Sequence, residues 1–252
     1  MITAGIDVGL ETTKAVILKG GAVLGKAKTS TGGVDRAQNI EAVYQAALHK
    51  AGLAAVDVDK ITVTGKGKYD APGEPARMTE QTAAARAARF FCPDATFVVS
   101  VGADETMAAT LGKERLLQEY AFNMKCTAGL GLYLSFLADR LGLSQEEMSS
   151  LDTQGSVSVN DNCVVLAELD AIGLLSRGTA PEEIGAAAVK AAAVRACAVI
   201  NDLTTPDKTC AILIGGLAKN KAFVSALSSI SGIRFITPED ADYAGAIGAA
   251  LP

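Results

Sequence analysis

The sequence predicts an α/β fold with mixed sheets, on three observations. Predicted strands and helices alternate along the chain, and a strand–polar turn–strand unit occurs near the start of each half. These hairpins make antiparallel pairs, so the sheets are mixed rather than all parallel. No linker, charge block or low-complexity tract separates the halves, which are therefore expected to pack closely.

Residues 2–6 read as a short buried strand and 14–18 as a second, joined by a polar turn that contains Gly9. Gly20-Gly21 gives a hairpin into a strand over 22–28. Ile40, Val43, Ala47 and Leu48 recur at helical spacing within 34–51, and Gly52 stops that helix. The β-branched run 60–64 is a strand ending at Gly65. The Ala-rich segment 79–91 is a helix that ends before Pro93. A strand over 96–101, the turn Gly102-Ala103-Asp104-Glu105 and a return strand near 106–111 repeat the opening pattern. Residues 127–141 and 163–177 read as amphipathic helices, and Ser144-Gln145-Glu146-Glu147 has the capping-box form that starts a short one. Pro181 sits at a helix start, followed by a long Ala/Val-rich helix over 182–203. A strand over 210–214 runs into Gly215-Gly216, then come a helix over 220–230, a strand over 233–236 and a final helix over 241–251.

A chain of 252 residues with 49% apolar and 20% charged residues can bury a substantial core, which excludes a disordered protein. The net charge of −5, with basic residues scattered among acidic ones, leaves no electrostatic footprint for nucleic acid. No apolar run approaches the ~20 residues of a membrane span. The N-terminus lacks the basic start and long apolar stretch of a signal peptide. The expectation is a cytoplasmic protein with reduced thiols and no membrane partner. His49, the single histidine, lies beside Lys50 on a solvated helix face, which argues against histidine acid/base catalysis.

Asp7-Val8-Gly9-Leu10-Glu11-Thr12-Thr13-Lys14 sits between two strands. Gly9 permits a tight turn, and backbone N–H groups with the Thr12 and Thr13 hydroxyls are suited to terminal phosphates. Asp7, at the end of a buried strand, is placed to orient Mg²⁺ or its waters. Taken alone, the segment reads equally well as an ordinary hairpin turn. A second such turn is Gly102-Ala103-Asp104-Glu105. A third segment, Ile214-Gly215-Gly216-Leu217-Ala218-Lys219-Asn220, turns from strand to helix through two glycines, which lets backbone approach a ligand. In order and spacing these segments resemble the actin–hexokinase–Hsp70 fold, two ribonuclease-H-like lobes with ATP between them. That resemblance implies a first lobe over 1–94 completed by the helix at 241–252, and a second over 95–240. It also implies Gly9 to Lys14, Gly102, Ala103 and Asp104 at the phosphates, with Gly215, Gly216, Leu217 and Asn220 near the nucleoside. Asp7 and Asp104 are the implied catalytic carboxylates.

Cys126, in Asn123-Met124-Lys125-Cys126-Thr127-Ala128-Gly129-Leu130-Gly131, and Cys163, after Asn160-Asp161-Asn162, each open a predicted helix. No other cysteine lies near either in sequence. One chain thus offers two thiolates where an iron–sulfur cluster or tetrahedral metal needs four, and two chains on a two-fold axis offer four. Cys92, Cys197 and Cys210, each in apolar sequence, read as small buried hydrophobes. Glu80, after Thr79, reads as a first-turn carboxylate stabilising a helix N-terminus.

Asp7-x-Gly9 with Thr13-Lys14, the segment Cys126 to Gly131, Cys163-x-x-Leu166-Ala167-Glu168, Gly215 to Asn220 and the tail Tyr243 to Leu251 act in combination. Together they are similar to the family of 2-hydroxyacyl-CoA dehydratase activators and ATP-binding benzoyl-CoA reductase subunits. The start, Ile2 to Asp7, and the tail lean towards the benzoyl-CoA reductase branch. The resemblance implies an ATPase that passes low-potential electrons from one [4Fe–4S] cluster, held between two protomers, to an acyl-CoA reductase. Activation of a 2-hydroxyacyl-CoA dehydratase is the alternative. Cys126 and Cys163 match the two ligand positions of each protomer, and ATP or ADP with Mg²⁺ are the other cofactors. Implied partners are a second protomer, identical or paralogous, the acyl-CoA reductase or dehydratase component, and an electron donor such as ferredoxin. A helix N-terminus suits an anionic cluster because its free N–H groups stabilise negative charge. Rotation of the protomers on ATP binding would move those helices and change the cluster's exposure and potential.

The chain departs from the family pattern at four places. Ser100 stands where many relatives carry an acidic residue, and Asp104-Glu105 replaces a Gln-Asp pair. Leu130 replaces Thr or Ser, and Leu132 replaces Arg. These positions bear on Mg²⁺ ligation and hydrolysis, while Asp7 and both glycine turns remain. A small-molecule kinase of the same fold would need a substrate cleft and a base against an acceptor hydroxyl, and would leave the two cysteines unexplained. A non-hydrolysing nucleotide-dependent regulator is the third class.

Overall fold

The computed structural model describes residues 1–32, 35–113, 116–123, 129–204 and 209–252. Its strands are β1 (Ile2–Val8), β2 (Thr12–Lys19), β3 (Ala22–Ser30), β4 (Lys60–Thr64), β5 (Ala76–Arg77), β6 (Phe97–Val101), β7 (Thr106–Thr110), β8 (Glu119–Phe122), β9 (Cys210–Ile214) and β10 (Arg234–Ile236). Its helices are α1 (Arg36–Ala51), α2 (Glu80–Phe91), α3 (Leu130–Leu141), α4 (Gln145–Ser149), α5 (Val164–Ser176), α6 (Pro181–Asn201), α7 (Lys221–Ser231) and α8 (Ala244–Ala250). The chain divides into two compact units. Met1–Ala95, Lys113–Leu117 and Asp242–Pro252 form the first, and Thr96–Gly112 with Gln118–Ala241 form the second.

In the first unit the strand order is β3-β2-β1-β4-β5, with β1, β2 and β3 antiparallel and β1, β4 and β5 parallel. Alternate residues of β2 serve opposite faces of this sheet, as the two-residue period of a strand requires. Ala15 and Ile17 pack with Ile40, Val43, Ala47 and Leu48 of α1. Val16 and Leu18 pack with Ala246, Ile247 and Ala250 of α8. Burial on both sides explains the unbroken apolar run of β2, each fully buried Val, Ile or Leu contributing roughly 1.5–3 kcal/mol. Gly20 (φ 56°) and Gly21 (φ 84°) make the two-residue turn between Lys19 and Ala22, where both central residues need positive φ. Asp35 caps α1 by accepting from Gln38 N.

The second unit repeats this plan. β8, β7 and β6 form an antiparallel meander, and β9 and β10 continue it in parallel. Phe97, Val99 and Val101 of β6 belong to a core shared with Leu134 and Leu137 of α3, Ile184 and Ile200 of α6, and Phe223 and Leu227 of α7. Pro181 is the first residue of α6, where its missing N–H costs nothing. Ser144 and Glu147 close the expected capping box of α4. α5 buries only Ala167 and Ala171 and leaves Val165, Leu169 and Ile172 more than half exposed.

Several boundaries differ from expectation. α3 starts at Leu130 rather than 127, because Gly129 is extended and serves as its N-cap. α1 begins at Arg36 rather than 34. The final helix is preceded by a separate 3₁₀ turn over Ala241–Tyr243. β5 and β8 are short edge strands with no alternation long enough to read. Cys197 is buried as expected, whereas Cys92 and Cys210 are half-buried. Among the described residues no helix is long and apolar enough to cross a membrane.

Candidate functional site

β1 carries Asp7 to its end, where Lys14 of β2 and Thr64 of β4 flank it. Gly9 N donates to Thr12 O at 3.2 Å, and a Cβ on Gly9 would stand 2.9 Å from that oxygen, so the turn closes only around a residue without a side chain. The Asp7 carboxylate lies in a cradle that two glycines leave open. A Cβ on Gly65 would stand 2.8 Å from its Oδ1, and one on Gly245 2.7 Å from its Oδ2. Lys14 Nζ lies 3.7 Å from Oδ2, both side chains being mostly buried. One hairpin thus presents a carboxylate for a divalent cation or its waters and an ammonium for phosphate charge.

The two threonines of this hairpin divide their roles. Thr12 is half-buried at the turn, with Leu10 and Glu11 exposed at its tip. Thr13 is wholly buried, its hydroxyl 3.0 Å from Thr31 Oγ1, which donates to Gly9 O at 2.8 Å. Thr31 N also donates to Glu11 O at 2.9 Å. Thr13 is therefore a strut inside the hairpin, which corrects the expectation that its hydroxyl faces phosphate. Glu80, first residue of α2, stands 3.9 Å from Lys66 Nζ and 3.5 Å from Lys68 Nζ, so it anchors the loop after Gly65 besides favouring its helix.

The β6–β7 hairpin is built the same way. Gly102 N donates to Glu105 O at 2.9 Å. Ser100 pairs with Ile214 of β9 as Asp7 pairs with Thr64 of β4. Gly215 after β9 has φ +95° and Gly65 after β4 has φ +91°, and a Cβ on either would stand 2.4 Å from the carbonyl of Val101 or Val8 respectively. The hairpins align residue by residue, and Ser100 takes the place of Asp7. Asp104 corresponds to Glu11, so it stands on the turn rather than at a strand end. α3 is seated on this turn: Gly131 N donates to Gly102 O at 3.1 Å and Leu132 N to Ala103 O at 3.0 Å. A Cβ on Gly129 would stand 2.0 Å from Asp104 O, and one on Gly131 2.6 Å from Ala103 Cα, so only glycine allows the approach.

Gly215 N donates to Ala241 O at 2.8 Å, and nothing lies within 4 Å of a Cβ built on Gly216, which leaves that backbone approachable. Leu217 is buried in the core, and Asn220 caps α7 by accepting from Phe223 N at 2.8 Å. These side chains brace the turn, while Gly216 keeps its backbone open.

Cys163 is the N-cap of α5, a half-buried free thiol with no side-chain capping bond. Its N–H donates to Asn160 Oδ1 at 2.8 Å. Cys126 lies outside the described residues. Among the described residues no group of three or more His, Cys, Asp and Glu forms a ready metal site. What they offer is one thiol beside the open N-terminus of a helix, suited to one ligand of a shared cluster. They also offer one carboxylate in a glycine cradle, suited to Mg²⁺ that keeps its waters.

The sequence profile of the BadF/BadG/BcrA/BcrD ATPase family matches residues 4–252. The chain belongs to the BadF/BadG/BcrA/BcrD ATPase family. It is 28% identical over 256 residues to the 2-hydroxyisocaproyl-CoA dehydratase activator of Clostridioides difficile, covering 100% of this chain and 94% of that one. It is 31% identical over 262 residues to a benzoyl-CoA reductase subunit of Thauera aromatica, covering 99% and 92%. The solved structure of the activator of the 2-hydroxyisocaproyl-CoA dehydratase from Clostridium difficile with bound ADPNP matches with a TM-score of 0.89 at 28% identity, over 99% of this chain and 93% of that one. The fold is the actin-like ATPase fold expected from the sequence.

In this ATPase the sequence reading missed the walls of the Asp7 cradle. Gly65 was visible as a strand terminator and Gly245 as part of the tail, but neither is near Asp7 in sequence. Thr31 carried no signal, being one threonine in a polar segment.

Proposed function

We propose that this ATPase is an activator that uses ATP to pass low-potential electrons to an acyl-CoA dehydratase or reductase component. Backbone N–H groups suit phosphate at the Gly9 turn of the first unit, where Lys14 balances its charge, and at the Gly102 turn of the second. Asp7 holds Mg²⁺ through one oxygen or through its waters, and its cradle fixes the carboxylate's direction. Cys163, and by sequence Cys126, hold a [4Fe–4S] cluster together with the same pair from a second protomer. Such a cluster supplies one-electron chemistry at low potential.

The observation that carries this reading is Cys163 at the uncapped N-terminus of α5, a placement that phosphoryl transfer alone does not need. The exposed Val165, Leu169 and Ile172 on the same helix support a protein partner there. The likeness to a dehydratase activator in sequence and in structure supports a dehydratase component as the acceptor. The 31% identity to the Thauera aromatica benzoyl-CoA reductase protein keeps the benzoyl-CoA reductase branch as the second reading.

The test mixes anaerobic, dithionite-reduced protein and MgATP with each class of acceptor component. ATP-dependent turnover of a 2-hydroxyacyl-CoA by a dehydratase supports the first reading, and ring reduction of benzoyl-CoA the second. ATP hydrolysis that never supports electron transfer to either acceptor would sink both.

A further inference from the structure

Tyr133 is wholly buried in the first turn of α3, and its hydroxyl donates to the main-chain oxygen of Asn160 at 2.8 Å. Asn160 also builds the turn that precedes α5. Its Oδ1 accepts from Asn162 N at 3.0 Å and from Cys163 N at 2.8 Å, and its N–H donates to Asp170 Oδ2 at 2.8 Å. These bonds tie Asn160 to the turn before α5, to its N-cap Cys163 and to Asp170 within the helix, and the bond from Tyr133 ties it to α3. The same first turn of α3 is seated on the β6–β7 hairpin through Gly131 N to Gly102 O and Leu132 N to Ala103 O. One helical turn thus holds the hairpin on one side and the Cys163 turn on the other.

Tyr133 is built to remain a donor. Burial raises its phenol well above its ordinary value, the Arg195 guanidinium pulls it back, and Asp161 and Asp170 raise it further. Arg195 lies over the ring with its Cζ 5.5 Å from the centroid. A phenylalanine keeps the ring under Arg195 and removes the hydroxyl's bond to Asn160.

We propose that Tyr133 is a positioning residue that ties the Cys163 turn, through Asn160, to the Gly102–Glu105 hairpin, so that the placement of the thiol follows phosphate occupancy of that hairpin. This rests on the function proposed above, which assigns the hairpin to phosphate and Cys163 to the cluster.

The test reads the thiol directly, in full-length protein freed of iron under anaerobic conditions. Alkylation of Cys163 by iodoacetamide is followed by peptide mass spectrometry, with and without Mg-ADPNP. Wild-type protein should change its Cys163 alkylation rate about fivefold on adding nucleotide, the weight of one ordinary hydrogen bond. Tyr133→Phe should lose that response while its Mg-ADPNP affinity by calorimetry and its circular dichroism stay as in wild type. Asn160→Ala should lose it too, and Asn160→Asp, which keeps both acceptors, should restore it. The proposal is overturned if Tyr133→Phe responds like wild type, or if wild-type Cys163 ignores the nucleotide. Failure of the underlying function reads differently, as Cys163→Ala protein that keeps its iron. Should Tyr133→Phe fail to fold, the Asn160 pair carries the same test.

Discussion

Gly245→Ala moves the Asp7 carboxylate without removing it. Gly245 lies in α8 with helical φ, so alanine fits its backbone without strain. The added Cβ would stand 2.7 Å from Asp7 Oδ2, 2.8 Å from Cγ and 3.2 Å from Cβ. Ordinary contact begins near ~3.5 Å, so the carboxylate must shift by roughly 0.7 Å. The shift is towards Gly65, whose missing side chain leaves that side of the carboxylate open. Overpacking costs about 1–3 kcal/mol, and replacing a helical glycine by alanine returns about 1 kcal/mol, so the melting temperature should fall only slightly. Catalysis should respond far more, since misplacing a reacting group by ~1 Å costs on the order of 100-fold. The assay is steady-state MgATP hydrolysis beside ADP affinity by calorimetry. The expected result is kcat lowered about 30- to 100-fold with ADP affinity within a few-fold. Gly173→Ala on α5, whose Cβ meets only Arg177 Nη1 at 3.4 Å, is the control and should leave turnover unchanged. Gly245→Ala hydrolysing ATP at the wild-type rate would refute the role given to Asp7.

Asp7→Ala should abolish Mg²⁺-dependent stimulation of hydrolysis while the protein still binds ADP, as read by calorimetry with and without Mg²⁺. Thr31→Val leaves the Thr13 hydroxyl and Gly9 carbonyl without a buried partner, at a cost of about 1–3 kcal/mol, which calorimetric melting should register as a drop of several degrees. The Glu147 carboxyl is held below its ordinary 4.5, first by the Ser144 N–H and then by its hydroxyl. A depressed carboxyl stabilises the folded chain above its unfolded value and loses that contribution as pH falls through its folded value. The melting-temperature gap between wild type and Glu147→Gln should therefore be present above pH 4.5 and close in more acid solution. A gap that widens with acid would contradict the cap.

The fold was legible where local chemistry decides structure. The β-branched run of β4 and the strand β9 emerge at the expected bounds, and the two hairpins announced a duplicated sheet plan. Gly9 and Gly102 were readable because a turn needs them within four residues. What the sequence hid depends on distant partners. The Asp7 cradle is walled by Gly65 and Gly245, and Thr13 is claimed by Thr31 across the hairpin. Asn220 caps α7 through Phe223 N, a bond that the Gly215-Gly216 turn pattern did not announce. The bond from Tyr133 to Asn160 spans 27 residues and leaves no periodicity to find.

Iron and acid-labile sulfide per two chains, in anaerobically purified wild-type, Cys126→Ala and Cys163→Ala protein, test the central claim most directly. The expectation is about four of each in wild type and none in either variant, with nucleotide binding retained in all three. Wild-type protein devoid of iron after anaerobic reconstitution, or a Cys163→Ala protein that still holds about four irons, would contradict it.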